Sequence, residues 1–342
     1  MKSGPRLSVE AIMLKLHHPF RLSTGVSTTR TAHWIRLEDD QGWGEGTIPP
    51  YYNISDEDMQ ALWDEKSHSK EPFPEDPELI PGWIGDQGPA PARAALDLAL
   101  HDRIGRRRDL PLYKLYNLPA PIPFSTAFTI AITEPEEMAR MAANRPEFPV
   151  IKLKLGSDDD ISRVAAVRNA RPDVRLYLDA NAGWEPDEAV RLIKDLESLD
   201  IEMIEQPVAG HDIEGMGYVQ SQTDIPIVAD ESLKSLGTLE ELARVGVQGI
   251  NLKIMKLGGM GPTLKLLKRG KELGLKIMLG CMTETSLGVT AMSHLAAMAD
   301  WIDLDAPLLI ANDPFEGVCY DQALVSLPDR AGIGIVRRTG MK

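Results

Sequence analysis

Three carboxylates in this sequence occupy the same place in a repeating pattern. Asp179 closes the run Leu176-Tyr177-Leu178, Glu205 closes Met203-Ile204, and Asp230 closes Ile227-Val228-Ala229. Each follows a short apolar run of the kind that forms a buried strand. The three are spaced by 26 and 25 residues. Taken singly, each reads as a turn or capping residue: Asp179 with Asn181 as an Asx-turn, Asp230 with Ser232 as a helix cap. Three on neighbouring strands converge on one point and repel one another unless a cation joins them. Oxygen-only ligands suit a hard divalent ion, Mg2+ above all.

Two further stretches carry lysines at strand-like positions. In Ile151-Lys152-Leu153-Lys154-Leu155 the side chains alternate faces, so Lys152 and Lys154 point the same way. Alone, that pattern is a solvated edge strand. Downstream, Ile250-Asn251-Leu252-Lys253 repeats the arrangement. A carboxylate held on a metal, with one lysine on each side of its α-carbon, can lose a proton from one face and regain it on the other. Beyond them, Asp303-Leu304-Asp305 places two more carboxylates on one face.

The elements that must position these groups are visible as a period. Apolar strand-like cores recur near Phe128, Leu153, Leu178, Ile204, Val228, Leu252, Met278 and Leu304, at intervals of 24 to 26 residues. Helical patterns fill the gaps, clearest at 135–144, 160–169, 186–196, 238–245, 262–273 and 288–298. Strand and helix alternating in this way predict parallel βα units. Eight of them predict a closed barrel, with active-site residues at the strands' C-terminal ends. In such a ring Lys154 on the second strand and Lys253 on the sixth face each other, and the carboxylates of strands three to five lie between them. An open doubly wound sheet is the alternative, but no glycine-rich phosphate fingerprint follows the first strand.

Ahead of the barrel, residues 7–47 read as β-structure interrupted by a polar loop at 21–31, and residues 91–108 as a helix. The expected division is an α+β domain at 1–118, a barrel at 119–310 and a C-terminal segment at 311–342. That segment is expected to return to the first domain, with Ile333-Gly334-Ile335-Val336 pairing there as a strand.

Composition excludes several classes. A chain of 342 residues with 43% hydrophobic and 26% charged residues is that of a soluble globular protein. No apolar run is long enough for a membrane span. A net charge of -14 argues against nucleic acid as partner. Two cysteines, Cys281 and Cys319, give no disulfide framework, which predicts a reducing, cytoplasmic location. The oligomeric state is left open, a homo-oligomer included.

These motifs, with Ala92-Arg93-Ala94-Ala95-Leu96-Asp97-Leu98-Ala99-Leu100-His101-Asp102 near the N-terminus, resemble the enolase superfamily, its muconate-lactonising subgroup, and within it the dipeptide epimerases. The resemblance implies a (β/α)7β TIM-like barrel with an N-terminal α+β capping domain. It implies Mg2+ on Asp179, Glu205 and Asp230, and acid–base roles for Lys154 and Lys253. Thr129, Lys152, Asn181 and Cys281 would contact substrate, and Asp303 with Asp305 would clamp a dipeptide's α-ammonium. Relatives acting on Ala-Glu carry an arginine in the first capping loop. Here Gly25 or its neighbours stand at that place and Arg30 follows several residues later, so the side-chain preference stays open. The rival readings are an N-acylamino-acid racemase, an o-succinylbenzoate synthase or cycloisomerase using the same site, and a non-catalytic binding barrel.

Overall fold

The structure is a computed structural model, which describes residues 7–22, 25–38, 41–48 and 52–338. It opens with an antiparallel sheet of β1 (Leu7–Leu22), β2 (Gly25–Leu37) and β3 (Gly42–Thr47), in that order. β1 and β2 form one long hairpin. Most of the span expected as a polar loop is strand, with Arg21 opposite Val26 and Met13 opposite Thr31. Val26, Thr28, Thr29 and Thr31 are β-branched and favour extended backbone. The stretch is polar because this end of the hairpin is largely exposed, not because it lacks structure. Ser23 and Thr24 lie outside the described residues.

The glycines of β3 are dictated by the helix Ala90–Arg108, which lies directly on that strand. A Cβ at Gly44 would stand 1.8 Å from the Ala95 carbonyl oxygen, so only glycine allows this approach. Two carboxylates buried in the same helix satisfy backbone donors elsewhere, as buried polar groups must. Asp97 Oδ1 accepts from the Met260 N–H at 2.6 Å. Asp102 accepts from the Trp43 N–H at 3.0 Å and the Ile333 N–H at 2.8 Å. From β3, the Glu45 carboxylate accepts from Thr285 N–H (2.9 Å), Thr285 Oγ1 (2.7 Å) and Gly288 N–H (3.2 Å). It thus sits at the start of the helix Ser286–Ser293.

After the short β4 (Phe124–Ser125) come eight parallel strands. They are β5 (Phe128–Ile130), β6 (Val150–Lys154), β7 (Arg175–Asp179), β8 (Ile201–Glu205), β9 (Ile227–Ala229), β10 (Gly249–Leu252), β11 (Lys276–Gly280) and β12 (Trp301–Asp303). They stand in sequence order around the sheet. Ala127 N–H donates to Ile302 O at 3.0 Å, joining the first strand's edge to the last. Helices such as Pro135–Ala143, Asp160–Ala170 and Pro186–Leu196 fill the intervals. Ala127, Val150, Tyr177, Met203, Val228, Met278 and Trp301 form one buried cluster. Each is two residues before Thr129, Lys152, Asp179, Glu205, Asp230, Gly280 or Asp303, so this apolar layer plugs the barrel one pleat below the polar one.

The chain ends with β13 (Phe315–Glu316), β14 (Cys319–Asp321), β15 (Leu324–Ser326) and β16 (Val336–Arg337). The strand at the end of this segment is antiparallel to β13: Val336 lies opposite Glu316 and Arg337 opposite Phe315. The segment also meets the capping domain: Gly332 bridges Pro111, with Gly332 N–H donating to Leu110 O at 3.0 Å and Leu112 N–H to Gly332 O at 3.2 Å. Arg337 pairs with Glu10 at 3.1 Å and stacks over Trp34 and Trp43 at 5.7 and 5.6 Å. Among the described residues, no helix is long and apolar enough to cross a membrane.

Candidate active site

The period-two rule delivers the polar residues to one end of the barrel. Asp179 and Glu205 end β7 and β8, Asp230 follows β9 directly, and none is more than 1% exposed. The lysines hold them. Lys152 Nζ lies 2.6 Å from Glu205 Oε2, 2.8 Å from Asp303 Oδ2 and 3.0 Å from Asp179 Oδ2. Lys154 Nζ donates to Asp179 Oδ2 at 2.6 Å. Across the ring, Lys253 Nζ donates to Asp230 Oδ2 at 2.6 Å and stands 3.9 Å from Glu205 Oε1.

Charge follows this geometry. Burial alone raises a carboxylate's pKa; Lys154, Lys152 and Lys253 nevertheless hold Asp179 below the ordinary range. Asp230 is likewise held down by Lys253 and Lys256 against burial. Glu205 goes the other way, raised by burial and by Asp179. Burial opposes the charge on Lys152, but Asp303, Glu205 and Asp179 outweigh it and keep that ammonium protonated.

The donor set fits a hard divalent cation. Among the described residues no three His, Cys, Asp or Glu side chains already form a chelating group. Instead, ammonium groups bridge the same three carboxylates, Lys152 between Asp179 and Glu205 and Lys253 between Glu205 and Asp230. Each bridging cation marks where positive charge is needed among oxygen-only donors.

The remaining expected contacts separate into two groups. Thr129, Lys152, Lys154, Lys253, Cys281, Asp303 and Asp305 line one cavity of about 760 Å³ of empty space, open solvent included. Thr129 N–H donates to Asp305 Oδ2 at 2.7 Å and its Oγ1 to Asp303 Oδ1 at 3.2 Å. Asp303 already has a cation in Lys152, whereas burial and Asp303 push Asp305 up to about 7. Cys281 Sγ stands 3.4 Å from the Asp303 carbonyl oxygen. Arg30 lies on β2 opposite Leu14 and lines the cavity from the cap side with Ser27 and Phe20. Asn181 is placed differently, its Nδ2 donating to Glu231 Oε1 at 3.3 Å.

Three neighbours escape the sequence reading. Asn251 Nδ2 donates to Glu205 Oε1 at 2.7 Å; it shares a strand face with Lys253, and that period could have found it. Lys256 Nζ donates to Asp230 Oδ1 at 2.6 Å and to the Asn251 carbonyl at 2.9 Å. At a helix start it reads as a surface lysine. Burial and Asp230 push Glu231 up to about 8, although its sequence context is that of a loop.

An eight-stranded parallel barrel, its mouth lined by opposed lysines beside a carboxylate triad and roofed by an α+β cap, defines a class of (β/α) barrel protein. Residues 135–339 match the enolase C-terminal domain-like family, and the chain belongs to the enolase superfamily. It is 34% identical to the L-Ala-D/L-Glu epimerase of Bacteroides thetaiotaomicron over 95% of this chain and 86% of that one. Its fold superposes on the substrate-liganded L-Ala-D/L-Glu epimerase of Bacillus subtilis with a TM-score of 0.92, at 32% identity and over 98% and 99% of the chains. With the dipeptide epimerase of Enterococcus faecalis V583, complexed with Mg and L-Leu-L-Tyr, the TM-score is 0.91 at 32% identity, over 98% and 100%.

Proposed function

We propose that this chain is a Mg2+-dependent isomerase that inverts the α-carbon of the C-terminal residue of a dipeptide. The observation that carries the reading is that Lys154, Lys253, Asp303 and Asp305 all line one cavity, with the lysines on opposite strands. Asp179, Glu205 and Asp230 would hold Mg2+, which when bound supplies positive charge to the substrate's carboxylate. Lys152, kept charged by three carboxylates, adds a second fixed positive charge there. One of Lys154 and Lys253, as the neutral amine, takes the α-proton, and the C–H electron pair moves into the carboxylate. The other, as the ammonium, returns a proton to the opposite face. Their two protonation states are exchanged, and the next turnover runs from the other lysine or after proton exchange with solvent.

The far end of the substrate decides the class. Asp305, buried beside Asp303, is relieved by an ammonium through charge-assisted hydrogen bonds. An N-acylated amino acid offers no such charge, which disfavours the racemase reading. Arg30 on the cap wall would face the side chain of the inverted residue and favour an acidic one.

The test is α-proton exchange in D2O, read by NMR, with free and N-acetylated dipeptides. Free dipeptides should exchange and N-acetylated ones should not. Asp303→Asn/Asp305→Asn should lower kcat/KM on free dipeptides on the order of a hundredfold, and Arg30→Ala should erase any preference for an acidic C-terminal residue. Equal turnover of N-acylated amino acids would overturn the dipeptide reading.

A further inference from the structure

The active-site cavity does not end at Thr129. Leu16, Phe20, Thr129 and Leu309 line it on one side and a second hollow on the other. This hollow has about 920 Å³ of empty space, open solvent included. Phe128 and Met141 form its barrel wall, and Arg145 stands at its rim with the guanidinium 4.9 Å from the Phe128 ring centre.

The hollow owes its roof to an irregularity of the hairpin. Lys15 pairs with Thr29 and Phe20 with Ser27, so Leu16, His17, His18 and Pro19 stand opposite Thr28 alone. The surplus chain is anchored to the segment after the last barrel strand. Leu16 bridges Ile310, and Ala311 N–H donates to Lys15 O at 2.8 Å. The bulge is therefore a fixed wall of the hollow.

We propose that this second hollow receives the side chain of the substrate's N-terminal residue and selects a bulky apolar one over a cationic one. The inference rests on the dipeptide reading. An ammonium held by Asp303 and Asp305 lies beside Thr129, which bonds both carboxylates. From the carbon bearing that ammonium, the peptide group must run back toward Lys154 and Lys253. The side chain then departs past Thr129 and Leu309, the two residues shared by both cavities with Leu16 and Phe20. It meets Phe128, Met141 and Leu308, where an apolar group is removed from water. A cationic side chain meets the Arg145 guanidinium, which Glu147 pairs from 3.7 Å and so offsets only in part, and like charges repel.

The experiment measures kcat/KM for four dipeptides with one C-terminal residue and Ala, Leu, Phe or Lys in front, on the wild type and two variants. Leu and Phe should exceed Lys by about tenfold or more, the discrimination expected of an apolar pocket. Met141→Trp, which fills the hollow, should lower the Phe-to-Ala ratio about tenfold. Arg145→Glu should raise the Lys-to-Ala ratio severalfold, and it decides the matter if the tryptophan variant fails to fold. If the Ala dipeptide is epimerised but no ratio moves in a folded variant, the hollow is an entrance and not a subsite, and the dipeptide activity stands. If the wild type epimerises no dipeptide, both readings fall.

Discussion

Lys152 and Lys154 stand two positions apart on one strand yet keep different electrostatic company. Lys152 touches three carboxylates and Lys154 one. A lysine bound on three sides is a poor base and a good fixed charge, whereas one bound on a single side can exchange its proton. We predict that Lys154→Ala and Lys253→Ala each lower epimerisation by at least a hundredfold, while each retains α-proton exchange with one substrate epimer, and with opposite preference. Exchange in D2O of the two pure epimers checks this; the same epimer surviving in both variants would contradict opposed lysines. That Asp179, Glu205, Asp230, the lysines and the Asp303–Asp305 pair gather at one end of the barrel was legible, because each stands at or near the C-terminal end of a strand. Lys256 was not, because its approach to Asp230 depends on how the chain turns after β10.

At the scale of elements, the contact between cap and barrel contains a buried carboxylic acid. Glu45 on β3 meets the start of the helix Ser286–Ser293, and burial pushes its pKa from the ordinary 4.5 to about 7 against the donors of Thr285 and Gly288. Unfolded, this group loses its proton near 4.5; folded, it keeps the proton to about 7. The folded state binds the extra proton between those values, so its contribution to stability falls as pH rises through that window, by up to about 3 kcal/mol. Glu45→Gln should flatten that part of the profile, measured as the difference in thermal unfolding midpoint between pH 5 and pH 8. A wild-type slope unchanged in the variant would assign the effect elsewhere. The sequence signalled the strand but not this contact, since nothing in Trp43-Gly44-Glu45-Gly46 names the helix it meets. The far end of the β1–β2 hairpin, read as a loop at 21–31, was missed for a different reason: polar residues on a solvent-exposed ribbon imitate a loop.

The whole molecule gathers three buried carboxylates under a set of lysines that neutralise them imperfectly, Glu205 being the one left with a raised pKa. A divalent cation binding only the folded chain should therefore stabilise it, by about 2.7 kcal/mol at a hundredfold excess over Kd. Thermal unfolding with and without Mg2+ should show a midpoint higher by a few degrees. EDTA should remove both that shift and turnover, and Asp230→Asn should lose both even with Mg2+ present. Full activity in excess chelator would contradict the assignment. The barrel was legible at this scale because each βα unit is local and its period is written in the sequence. The pairing of Phe315–Glu316 with Val336–Arg337 was not, because such short strands are partners chosen by long-range packing.

The Arg337–Glu10 ion pair has a topological consequence. It brings the last described strand to within side-chain reach of the first, so the described path of the chain returns nearly to where it starts. A short linker could seal that loop, and the backbone could be cut anew at the exposed turn around Gln222, on the side of the barrel away from the lysines. A circular permutant of this kind would keep every site residue in its place in the ring, while the cap would follow the second half of the barrel along the chain instead of preceding the first.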